Sequence, residues 1–117
     1  ERKDSLLKNA NVFLLPTYYN IEAQPITIIE AMAYGLAIYS TNYRAIPDML
    51  IDNYNGEFVE QKKPLNLAKK LAEISIEKLE KYSNNSLALF ERKFTKKNHV
   101  DAMVSLLKNT DFDEKYL

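Results

Sequence analysis

Two short apolar runs flank one apolar helix-like stretch near the start of this chain, and that arrangement constrains the fold more than any other feature. Residues 12–15 read Val-Phe-Leu-Leu and residues 36–40 read Leu-Ala-Ile-Tyr-Ser. Runs this short, without polar alternation, suit the strands of a parallel sheet covered on both faces. Between them, residues 25–34 open on Pro25 and stop before Gly35. Pro favours a helix's first turn and Gly its C-terminal cap. Parallel neighbours cannot be joined by a tight turn, so a strand–helix–strand crossover is the expected unit. A third short strand is expected over 57–59, approached through an Asn55-Gly56 turn.

Around this unit, residues 4–10 read as the end of a helix carrying Leu6 and Leu7, and 16–24 as a loop. Residues 45–51 form a short helical turn, with Pro47 near its start. The second half turns helical. Pro64 opens a helix placing Ala68, Leu71, Ala72, Ser75, Leu79 and Tyr82 on one face, with Ser75 a point where it divides. Residues 85–94 and 96–109 read as further amphipathic helices, with Thr95 capping the last. The fold class is α/β: part of a three-layer, doubly wound, Rossmann-like parallel sheet followed by C-terminal helices. At 117 residues this is one domain, with an α/β part over 1–60 and a helical part over 61–117.

Composition excludes several function classes. Charged residues balance to a net charge of zero, so no broad nucleic-acid footprint is implied. The balance is uneven: residues 1–60 carry four bases against eight acids, and 61–117 twelve against eight. Lys62, Lys63, Lys69, Lys70, Lys93, Lys96 and Lys97 read as solvated helix faces rather than a membrane-binding surface. Without cysteine, neither a disulfide framework nor a thiolate metal site is possible. No apolar run reaches the 18 residues or so that a membrane span needs. The first residue is Glu1 rather than Met, and the chain is read as a piece of a longer protein.

Chemistry is expected just after the first strand. In open α/β sheets ligands bind outside the carboxyl ends of the strands, where Thr17 to Gln24 falls. The helix over 25–34 aims its N-terminus at the same crevice. The amides of Ile26, Thr27 and Ile28, with the helix dipole, make an anion site suited to a diphosphate. From Ile26 to Tyr34 the strongly polar side chains are Thr27 and Glu30, three residues apart and so on one face. A carboxylate on a buried helix needs a donor, either a protein group or a ligand hydroxyl.

These residues carry a family resemblance. The stretch Leu15-Pro16-Thr17, Glu22-Ala23, Glu30-Ala31-Met32-Ala33-Tyr34-Gly35, the strand over 36–40 with Thr41, Ile46-Pro47-Asp48 and Asn55-Gly56 occur in the order found in one family. They resemble the E-x7-E region of retaining glycosyltransferases with the GT-B fold, glycosyltransferase family 4, closely over residues 5–60. The resemblance implies a nucleotide-sugar-binding domain. In it Glu30 holds the donor's ribose, and Glu22 faces the donor sugar and the charge developing at its anomeric carbon. Ala23, Gln24, Pro25, Ile26 and Thr27 line the substrate site. It also implies a nucleotide-sugar donor, a saccharide or lipid-linked acceptor, and no metal or other cofactor. The setting would be bacterial cell-surface polysaccharide synthesis, in a cytoplasmic protein able to sit at the inner face of the membrane.

Three strands are about half of that family's sheet. The remaining strands, the acceptor domain, and the Arg and Lys that meet the diphosphate are therefore expected ahead of residue 1. This piece is expected to hold half a donor site and to transfer nothing alone. Departures from the pattern are Ala23 for Gly, Ala37 for Pro, Arg44-Ala45 for Gly-Gly and Asp48 for Glu. Pro25 supplies no amide. Alternatives stand beside each role. Glu30 fits an internal ion pair with Arg44, and Glu22 an ordinary loop acid. Thr27 fits a backbone partner at the helix start. Tyr18, Tyr19 and Tyr43 fit core or rim as well as a stacking role. His99 reads as structural, and Asp111-Phe112-Asp113 as a chance echo of a metal motif. At the level of the whole chain, the rivals are a noncatalytic Rossmann-like module and a dinucleotide oxidoreductase. The latter is opposed by the absence of G-x-G-x-x-G, with only two glycines present.

Overall fold

The computed structural model describes residues 2–18 and 25–109. Helix α1 (Arg2–Asn9) leads into strand β1 (Val12–Leu15), and helix α2 (Ile26–Ala33) then leads into strand β2 (Ala37–Ser40). A 3₁₀ turn (Ile46–Asp48) precedes strand β3 (Gly56–Phe58). Helices α3 (Pro64–Ala72), α4 (Ile76–Lys93) and α5 (Lys96–Asn109) complete the order. The three strands form a parallel sheet in the order β1-β2-β3, with Leu15 beside Ser40 and Ser40 beside Phe58. The α/β class and the parallel crossover expected from the two apolar runs are what the structure shows.

Side chains of a strand alternate faces, and here each face has its own core. Phe13, Leu15 and Ile38 pack with Ile28, Ala31 and Met32 of α2 and Leu89 of α4. Val12, Ala37 and Tyr39 pack with Leu67, Leu71, Ile74, Leu79 and Tyr82 on the other side. Strand β2 is buried throughout, whereas Leu14 of β1 is exposed.

Gly35 ends α2 as expected, at φ 72°, in a Schellman arrangement. Its amide donates to the Met32 carbonyl at 3.0 Å and that of Leu36 to Ala31 at 3.1 Å. Gly56 plays a different part from the turn glycine expected. It opens β3, and a Cβ there would lie 1.6 Å from the Ile38 carbonyl oxygen. The left-handed residue of the preceding turn is Asn53, at φ 59°.

In the helical half, Ser75 does divide the chain. Its hydroxyl accepts from the Lys78 amide at 3.1 Å and caps α4. Thr95 caps α5 similarly, accepting from Asn98 at 3.1 Å. The separate helix expected over 85–94 is instead the second half of an unbroken α4. Asn85 donates to the Tyr54 carbonyl at 2.7 Å and Ser86 to that of Leu36 at 2.7 Å. Tertiary partners, rather than a helix end, occupy these short polar side chains. The buried edge of α3 also differs from expectation: Leu67 and Leu71 face the core while Ala68 and Ala72 are exposed.

Candidate functional site

Hydroxyl groups stitch the carboxyl ends of the strands together. Ser40 Oγ donates to the Leu15 carbonyl and Thr41 Oγ1 to that of Thr17, both at 2.6 Å. The Thr17 amide donates to Leu15 at 2.8 Å, and the Val59 amide to Ser40 at 2.8 Å. The start of the loop after β1 is thereby fixed against the end of β2. Ser40 and Thr41 are fully buried, so the hydrogen bonds offset the cost of burying their hydroxyls.

Helix α2 starts at this end of the sheet. Pro25, buried, occupies its N-cap position with extended backbone and gives no side-chain cap. The Ile28 amide donates to the Pro25 carbonyl at 3.1 Å. That corrects the expectation of three available amides: among the described residues, those of Ile26 and Thr27 meet no acceptor. Ile26 and Thr27 are both exposed, and Ile26 keeps 68% of its surface, unusual for an isoleucine opening a core helix.

One turn further along, Glu30 sits half-buried at the edge of α2 rather than in the core. Its Oε2 lies 2.7 Å from Lys3 Nζ, and the Glu30 side chain is 33% exposed. The partner is Lys3 of α1, not the Arg44 considered from the sequence. The hydrogen bond and charge of Glu30 raise the Lys3 ammonium above its ordinary value. Alongside, the Tyr34 hydroxyl donates to Asp4 Oδ1 at 2.8 Å. Two polar contacts therefore hold α1 against α2, leaving Thr27 and Glu30 on an accessible face. Glu22, Ala23 and Gln24, together with Tyr19, lie outside the described residues.

Arg44 has the left-handed backbone, at φ 53°, that a glycine adopts freely. Its guanidinium carbon sits 5.4 Å from the centroid of the Tyr43 ring. Tyr18 is an exposed rim residue with the Lys62 ammonium 4.7 Å from its ring centroid. His99 is exposed on α5. Asp111, Phe112 and Asp113 are outside the described residues, among which no three His, Asp or Glu side chains gather.

The sequence reading missed the most enclosed carboxylate. Glu57, in the middle of β3, accepts from the Tyr39 hydroxyl at 2.9 Å and the Tyr82 hydroxyl at 3.2 Å. Lys78 stands at 3.6 Å and Lys70 at 3.8 Å. Burial pushes the Glu57 carboxyl up, yet Tyr39, the two lysines and Tyr82 together hold it below its ordinary value. Burial and the same carboxylate push the Tyr82 hydroxyl up to about 12. The signal was present: an acid inside a three-residue strand needs a built partner set. Every donor here comes from the protein, so the cluster is a joint between sheet and helices.

Comparison with known proteins follows the same outline. Residues 1–88 match the family described as Glycosyl transferases group 1. Over 75 residues the chain is 36% identical to the protein provisionally named colanic acid biosynthesis glycosyltransferase WcaL of Salmonella typhimurium strain LT2. That alignment covers 61% of this chain and 18% of the relative. The protein of the same name from Escherichia coli strain K12 is 33% identical over 75 residues, with the same coverage. The matched stretch is thus less than a fifth of either relative's length.

Proposed function

Because this chain belongs to the group 1 glycosyl transferases, we propose that it is the donor-gripping part of a retaining GT-B enzyme of glycosyltransferase family 4. The enzyme transfers a sugar from a nucleotide-sugar donor to a saccharide or lipid-linked acceptor. The names of the relatives support a place in bacterial cell-surface polysaccharide synthesis. The observation that carries the reading is the start of α2, where two amides with no acceptor among the described residues precede, by one turn, a partly exposed carboxylate. The amides suit the donor's diphosphate, and a carboxylate suits the paired hydroxyls of a ribose. In this mechanism Ile26 and Thr27 hold the leaving diphosphate, joined by basic groups from the rest of the protein. Preorganised donors of this kind stabilise charge as it develops, without a metal. Glu22 faces the donor sugar and meets the positive charge near its anomeric carbon, while Ala23, Gln24 and Pro25 shape the loop around it. A domain ahead of this piece supplies the acceptor side, so this piece alone transfers no sugar. No described helix is long and apolar enough to cross a membrane.

Two substitutions in the full-length enzyme separate the roles. Glu30→Gln keeps the shape but removes charge-assisted hydrogen bonds to the ribose, worth about 1.5–3 kcal/mol. Calorimetry with the free nucleoside diphosphate is expected to show weakened affinity. Unchanged affinity in a folded variant would leave Glu30 as no more than the partner of Lys3. Glu22→Ala is expected to spare nucleotide affinity and lower kcat by about 10²-fold, as removal of a group acting on the transition state does. Normal turnover would return Glu22 to an ordinary loop acid.

A further inference from the structure

Helix α1 is tied to α2 by an apolar anchor and two polar contacts. Leu7 lies in the core with Ile28, Ala31 and Met32. The Tyr34 hydroxyl reaches Asp4 Oδ1 at 2.8 Å, and Lys3 Nζ stands 2.7 Å from Glu30 Oε2. Lys3 and Leu7 are one helical turn apart in α1, so the face that packs on α2 also presents the ammonium. The buried Leu7 thereby fixes where the stem of Lys3 begins.

A pair of this exposure does little for the fold. The Lys3 side chain is 63% exposed and that of Glu30 33%, and surface pairs are weak. Its effect falls on the carboxylate itself. An unheld glutamate samples several rotamers, and a ligand that needs its carboxylate in one place must first order it. Lys3 has ordered it already, and through one oxygen. Among the described residues no donor meets Oε1. An ionised carboxylate has about four acceptor sites, so an ammonium on Oε2 leaves room for a pair of hydroxyls.

We propose that Lys3 is a positioning residue for the nucleotide, holding the Glu30 carboxylate by Oε2 so that Oε1 is set for the vicinal hydroxyls of the donor's ribose. The role rests on the donor-site reading, because the orientation of Glu30 matters only if Glu30 meets the ribose. An ammonium that blocked Glu30 would do the opposite. Lys3 takes a single oxygen, however, and its own side chain is mostly in solvent, so it yields space without breaking the pair.

Calorimetry on the full-length enzyme with uridine, guanosine and adenosine diphosphates, each beside its 2′,3′-dideoxy counterpart, tests this role. The wild type is expected to bind one ribonucleotide about ten- to a hundredfold more tightly than its dideoxy form. Lys3→Met keeps an unbranched stem and removes the ammonium. It is expected to keep the fold by circular dichroism and to lower that ratio about two- to tenfold, the cost of ordering one side chain anew. Lys3→Arg still donates to Oε2 and is expected to restore the ratio. A damaged fold, or a lost general attraction for the diphosphate, weakens both forms alike and leaves the ratio as it was. An unchanged or raised ratio in folded Lys3→Met therefore overturns the role of Lys3, while discrimination by the wild type keeps the donor-site reading. A wild type that binds none of the three, or binds both forms equally, sinks the donor-site reading and the role of Lys3 with it.

Discussion

Arg44 shows what one residue can reveal about the backbone beneath it. The family resemblance leads one to expect glycine at this position, and its φ of 53° supplies a physical reason. A left-handed conformation costs an L-residue about 1–2 kcal/mol through its Cβ, a cost glycine escapes. Contact with the Tyr43 ring, worth about 0.5–1 kcal/mol at an exposed site, offsets part of this. Comparing Arg44→Gly with Arg44→Ala cancels the ring contact, which both lose. Glycine's greater freedom in the unfolded chain subtracts from its advantage. Arg44→Gly is expected to be the more stable of the two by roughly 0.5–1 kcal/mol in urea denaturation. Equal stabilities would mean that this loop relaxes around any side chain. Glu30 teaches the complementary lesson. Its ion pair with Lys3 joins an exposed ammonium to a partly exposed carboxylate, and such surface pairs contribute only about 0–1 kcal/mol. Stability gives little reason for a carboxylate there, which leaves room for a ligand.

Strand β3 is the element most dependent on a single position. It is three residues long, and its first, Gly56, packs its backbone against the Ile38 carbonyl of β2. Nothing flexible lies there to yield, since the nearest atoms are all backbone. A methyl group must push β3 off β2. Overpacking of this kind costs about 1–3 kcal/mol and more against rigid backbone, so Gly56→Ala is expected to lose at least about 3 kcal/mol. Chemical denaturation followed by circular dichroism measures it, and a variant as stable as the wild type would show that β3 shifts freely. Legibility varied among elements for a similar reason. The apolar runs of β1 and β2, and Pro25 and Gly35 around α2, carry their conformation in local chemistry. Asn55-Gly56 carries the local mark of a turn, yet Gly56 is needed for close approach between strands, which no local rule reveals. Likewise Asn85 and Ser86 look like an interruption of α4 until their carbonyl partners on Tyr54 and Leu36 are brought near by the fold.

Across the molecule, Glu57 joins β2, β3, α3 and α4 through Tyr39, Tyr82, Lys70 and Lys78. Its carboxyl titrates below the ordinary value of 4.5 in the folded chain. Below 4.5 the unfolded chain therefore binds a proton that the folded one still refuses. The contribution is complete above that value and is lost as pH falls through the lower folded value. Glu57→Gln removes the charge and leaves both lysines without their partner. A loss of about 1–3 kcal/mol is expected at neutral pH, with a shallower fall in stability on acidification. Thermal denaturation across acid pH checks both, and an unchanged acid limb would show that other carboxylates govern it. Sequence alone determined the α/β class, the parallel crossover, the helix caps at Gly35 and Thr95, the division of the chain at Ser75, and the family. Each rests on residue chemistry acting within a few positions or on an ordered set of motifs. Tertiary structure alone decided that Glu30 meets Lys3 and not Arg44, that the Ile28 amide is already used, and that Glu57 is enclosed by two tyrosines and two lysines. These are contacts between segments distant in sequence, and only the packing of helices on the sheet sets which side chains come within reach.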